Sequence, residues 1–95
     1  MGNWVMPSCS KILTKARNSP QNVTFTEICK LALCEGWVAH PENGSSHAVF
    51  THPKLGNVPG SLMNFQNKKG KAKPYQVKQL LDALDLIEAM GKNEK

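Results

Sequence analysis

Residues 22–37, "NVTFTEICKLALCEGW", carry the clearest local signal in this 95-residue chain. Thr24 and Glu27 stand at the S/T-x-x-E spacing of a capping box, in which each side chain satisfies a backbone N–H at the start of a helix. Val23 and Ile28 occupy the flanking hydrophobic-staple positions. Phe25, Ile28, Leu31 and Ala32 recur at helical spacing, and Gly36 suits the residue just past a helix end. The spacing predicts a helix over 24–35. Cys29 and Cys34 lie on it and cannot share one stripe.

Working outward, Trp37 to His40 reads as a short strand closed by the turn-rich "PENGSS". Ser46 to Thr51 is a second strand ended by Pro53, and Asn43-Gly44 between the two predicts an antiparallel hairpin with a long loop. Ser61 to Gln66 makes a third strand, with Leu62, Asn64 and Gln66 on one face and Met63 and Phe65 on the other. Pro74 fits the first turn of a second amphipathic helix. Its stripe of Val77, Leu80, Leu81, Leu84, Ile87 and Met90 runs to residue 90, and Gly91 is expected to end it. Upstream, Ser10 to Arg17 reads as a short helix stopped at Asn18-Ser19-Pro20. Residues 1–20 are thus an N-terminal extension, 21–91 the domain and 92–95 a frayed tail. The expected fold class is α+β, of the α-β-β-β-α double-stranded-RNA-binding-domain-like kind. Two helices cover one face of a three-stranded antiparallel sheet and leave the other face open.

Composition narrows the function. The formal charge is +5 and the pI about 9.3, which favours an anionic partner. The excess is concentrated in the middle of the chain, where Lys54, Lys68, Lys69, Lys71 and Lys73 face only Glu42. No apolar run approaches membrane-spanning length, and the first residues lack the order of a signal peptide. Cys9, Cys29 and Cys34 are odd in number and form no C-x-x-C pair, so reduced, packing cysteines are expected rather than disulfides or a zinc site. A cytoplasmic protein is the expectation.

Three features carry candidate chemistry. His47 begins the second strand, and histidine titrates near neutrality, as suits a general base; a structural or merely exposed histidine is the plainer alternative. Strand alternation puts His47, Val49 and Thr51 on one face and Ala48, Phe50 and His52 on the other, so His52 closes the strand rather than partnering His47. His40 could lie near His47, depending on register. Lys68, Lys69, Lys71 and Lys73, spaced by Gly70 and Ala72, can press against a phosphate backbone without reading bases; a solvated basic loop is the alternative. Trp37, Phe50 and Phe65 are expected in the core, and Tyr75, polar-tipped beside the lysines, is the exception able to stack on a base.

At "SSHAVFTHP" (45–53) and "MNFQNKKGKAKPYQVKQLL" (63–81) the chain resembles the HicA family of toxin–antitoxin mRNA interferases. The resemblance covers residues 24–90 and is most specific in "KGKAKPYQVKQLL". It implies the α-β-β-β-α fold, metal-independent RNA cleavage without a cofactor, and a HicB-like antitoxin as protein partner. It also implies that His47 is the catalytic base and places Ser46 at the family's preceding serine, so that Ser46 joins Lys68, Lys69, Lys71, Lys73 and Tyr75 as the expected RNA contacts. Ser45 stands where the family has glycine, and Ala48 where many members carry a second histidine. A non-catalytic RNA-binding module of this fold, or a basic protein-interaction domain, are the alternative functions.

Overall fold

The computed structural model describes residues 8–40, 47–56, 58 and 61–93. Helix α1 spans Cys9–Asn18, and a short 3₁₀ turn, Pro20–Asn22, leads into α2 at Phe25–Cys34. Strands β1 (Val38–His40), β2 (His47–Thr51) and β3 (Met63–Gln66) follow, and α3 (Pro74–Asn93) closes the chain. The strands form one antiparallel sheet in the order β1-β2-β3. The class is therefore α+β, with three helices and a three-stranded antiparallel sheet.

The α2 capping box forms as the spacing predicts. Thr24 Oγ1 accepts from the Glu27 N–H at 3.1 Å, while Glu27 Oε1 accepts from the Thr24 N–H at 3.0 Å. The other Glu27 contacts come from α1: Lys15 Nζ donates to both carboxylate oxygens, at 2.9 and 3.1 Å. Burial alone would raise the Glu27 carboxyl. Hydrogen bonds from Lys15 and from the Thr24 backbone outweigh it and hold the group below the usual carboxylate value.

One face of the sheet is packed. Phe50, Met63 and Phe65 are buried with Ile28, Leu31 and Ala32 of α2 and Val77, Leu80, Leu81 and Leu84 of α3. Ala48 lies on that face too, opposite Phe65 and partly buried against the same core. The other face carries His40, His47, Val49, Thr51, Asn64 and Gln66, all exposed or half-buried.

Two expectations are corrected. Gly91 does not end the last helix, which runs on to Asn93. Gly91 is exposed and a Cβ there would meet no other part of the structure within 4 Å, so nothing there forces the chain to turn, and helical glycine costs only about 1 kcal/mol relative to alanine. The cysteines are not all reduced: Cys9 and Cys34 form a disulfide, with Cα atoms 6.5 Å apart, and Cys29 alone remains a thiol. An odd count leaves one cysteine over but says nothing against a single pair. Packing α1 on α2 brings the first residue of one helix beside the last of the other. Helix α1 also sends Ile12 and Ala16 into the common core, fully buried, so residues 9–18 pack against the same core as α2 and α3. No helix among the described residues is long and apolar enough to cross a membrane.

Candidate active site

The register decides what surrounds His47. It lies opposite Gln66 across the β2–β3 ladder, and its side chain is exposed on the open face. Gln66 Nε2 lies 3.2 Å from His47 Nε2. The polarity of that contact follows from groups that can act in only one sense. The Gln66 backbone N–H must donate, and it meets Gln76 Oε1 at 2.8 Å. The opposite end of Gln76 is then its NH₂, which donates to Gln66 Oε1 at 3.3 Å and to Tyr75 Oη at 3.2 Å. Gln66 is left with its own NH₂ toward the imidazole, so His47 Nε2 accepts. The neutral ring therefore carries its proton on Nδ1, and its Nε2 lone pair is the acceptor of the Gln66 amide; an unprotonated Nε2 is the form a general base needs.

Gln76 is 5 % exposed, and its amide is satisfied at both ends by this network. Its role was not read from the sequence, although a signal exists. Gln76 stands four residues before Leu80, next to the stripe that faces the core, and a buried amide there must have partners.

The lysine segment is a built structure. Lys68 and Lys71 exchange backbone hydrogen bonds of 2.9 and 3.0 Å, with Lys69 (φ 53°) and Gly70 (φ 86°) at the tip. Two consecutive residues with positive φ define a tight type I′ turn. Asn67 Oδ1 accepts from the Gly70 N–H at 2.7 Å. The turn is pinned to the start of α2, because the Phe25 N–H donates to Gly70 O and the Ala72 N–H donates to Val23 O, both at 3.0 Å. Lys68 and Lys71 are paired directly across it, a like-charge juxtaposition that costs stability in the free protein. An anion between them would reverse that sign. Lys68, Lys69, Lys71 and Lys73, with Gln21 and Tyr75, line an open groove of about 600 Å³.

The groove and His47 lie at the same end of the sheet. Gln66 faces His47 and ends β3, and Lys68 follows two residues on, about 7 Å further along an extended chain. Tyr75 is 56 % exposed at the groove's edge, whereas Trp37, Phe50 and Phe65 are buried. Ser46 and Ser45 lie outside the described residues. Ala48 faces the core, on the side of the sheet opposite His47.

The remaining histidines are occupied differently. His52 is buried, its Nδ1 accepts from the Lys54 N–H at 3.1 Å, and its Nε2 therefore donates to Glu35 O at 3.0 Å. It caps the end of α2 and meets Trp37 edge-on at 5.2 Å. Gly36 (φ 92°) makes room: a Cβ there would stand 3.1 Å from His52 Nε2. His40 pairs with Val49 on the open face, but its Nε2 bonds Thr51 Oγ1 at 2.6 Å, which turns it away from His47. Burial pushes the Cys29 thiol up to about 11, which leaves it protonated and a poor nucleophile. No three His, Cys, Asp or Glu side chains gather as a metal site among the described residues.

Comparison with protein-family models, with curated proteins and with solved structures finds no match to the chain.

Proposed function

We propose that this chain is an endoribonuclease of the HicA toxin type, with a double-stranded-RNA-binding-domain-like fold, cleaving mRNA in the cytoplasm and held in check by a HicB-like antitoxin. The observation that carries the reading is the pairing, at one end of an open sheet face, of a histidine whose Nε2 accepts from the Gln66 side-chain amide and a rigid turn of lysines. A ribose 2′-hydroxyl replaces the Gln66 amide at His47 Nε2 and gives up its proton there. The 2′-oxygen attacks the adjacent phosphorus and the bond to the 5′-oxygen breaks, which leaves a cyclic phosphate and a 5′-hydroxyl end. Lys68, Lys69, Lys71 and Lys73 hold the backbone and stabilise the charge that develops on the phosphoryl oxygens. His40 is held by Thr51, so the leaving oxygen takes its proton from water or a lysine of the turn. These steps require only side chains and water, so activity is expected to persist with a chelator present.

A cytoplasmic setting bears on the disulfide. There Cys9 and Cys34 would stand as thiols, and the buried Ile12 and Ala16 and the Lys15–Glu27 pair would hold α1 without the covalent link. The test compares purified wild type with His47→Ala on RNA, and growth of cells on induction of each. Cleavage and growth arrest that vanish in the variant support the reading. RNA bound but left intact by the wild type would leave a binding module of the same architecture.

A further inference from the structure

A second groove, about 290 Å³, opens on the other side of Tyr75 and is lined by Leu62, Asn64, Gln66, Tyr75, Gln76 and Gln79. Its chemistry differs from that of the lysine groove, although Tyr75 lines both. Four carboxamides form its polar walls, with no charged side chain among the lining residues. A phosphate there would find no cation. A nucleobase edge, which sets hydrogen-bond donors beside acceptors, matches a carboxamide group for group.

The four amides divide into a frame and a free pair. Gln66 and Gln76 are locked on each other and on the Gln66 backbone. Asn64 and Gln79 are exposed, and neither side chain is hydrogen-bonded to another residue among those described. The exposed Tyr75 ring offers the flat surface on which an unstacked base rests. Gln66 also joins this groove to the catalytic position, since its amide is the group that meets His47 Nε2.

We propose that this amide-lined groove is a nucleobase subsite, which takes one unpaired base next to the scissile phosphate, stacks it on Tyr75 and reads its edge with Asn64 and Gln79. The assignment rests on the ribonuclease reading of His47. It divides the labour across Tyr75: lysines on one side hold phosphate without regard to sequence, and amides on the other set the cleavage-site preference. It also specifies single-stranded RNA as the substrate, because a base paired and stacked in a duplex cannot enter.

The test measures fluorescence anisotropy with short oligodeoxynucleotides, which lack the attacking hydroxyl and so stay intact, beside abasic strands of equal phosphate number. Wild type should bind the base-bearing strands about tenfold more tightly. Tyr75→Ala should erase that difference, and Asn64→Ala with Gln79→Ala should level the affinities among homopolymers of the four bases. Both variants should keep the wild-type dependence on salt. All three residues are exposed, and a thermal melt checks that each variant is folded. Equal wild-type affinity for abasic and base-bearing strands would overturn the subsite, as would unchanged discrimination in the amide variant. RNA cleavage, measured separately, distinguishes the two proposals. Base discrimination without cleavage removes the ribonuclease and leaves the base groove, whereas cleavage without discrimination does the reverse.

Discussion

A histidine begins β2 and another follows its last residue, and the two rings are held in opposite ways. At the far end His52 points into the packed side, wedged between Trp37 and Gly36, with both ring nitrogens committed to backbone groups. At the near end the His47 side chain is exposed, and its Nε2 is met by a side-chain amide, which can swing away. Backbone partners cannot be exchanged without unfolding the segment that carries them, whereas an amide at the end of a glutamine can. The two rings differ in what meets Nε2: a backbone carbonyl at His52, a side-chain amide at His47.

That contrast can be broken most directly at His47. His47→Ala is expected to lower RNA cleavage by at least about 10²-fold, the usual contribution of a positioned base, while the melting temperature stays near that of the wild type. His52→Ala should do the opposite. Losing two hydrogen bonds and the edge contact on Trp37 is expected to cost about 2–3 kcal/mol, read as a fall in Tm of about 10–20 °C. Equal loss of stability in the two variants would dissolve the distinction.

Smaller effects sharpen it. Lys68→Ala and Lys71→Ala relieve a like-charge pair, so neither should destabilise the fold. Each should flatten the log–log dependence of RNA affinity on salt by about 0.7. On the structural side, Glu27 is a carboxylate whose folded value is depressed, so its contribution to stability is present above its ordinary value of 4.5 and lost as the pH falls below it. Glu27→Gln should therefore show a shallower loss of stability below about pH 4.5 than wild type in urea melts across that range. Cleavage per folded molecule should not change.

Much of the fold was legible because its signals are local. The Thr24–Glu27 box, Pro74 at a helix start and the alternation that separates His47 from His52 each depend on residues within a turn or a strand. Distant pairings were not legible. The contact of Gln76 with Gln66 depends on how α3 seats against β3, and the Cys9–Cys34 bond on how α1 lies along α2. The position of His40 required the register His40–Val49, which hydrophobic pattern alone leaves open. The lysine cluster was visible as charge, but its rigidity comes from backbone bonds to Val23 and Phe25, far away in sequence. Among the candidate residues, His47, Lys68, Lys69, Lys71, Lys73 and Tyr75 fall at one end of the sheet. The amides that link the histidine to Tyr75 across that end were the missing part.

Lys69 bears on a separate question, that of improving the protein. It holds φ 53°, a conformation in which a type I′ turn favours asparagine and a long side chain is disfavoured. A stability-guided redesign would replace it first, giving the Asn-Gly sequence that such turns prefer. It would thereby remove the cation at the tip of the turn. Selection for thermal resistance alone would thus erode the lysine groove proposed to hold RNA, and under that proposal a stabilised variant at this position would be the wrong starting point for activity.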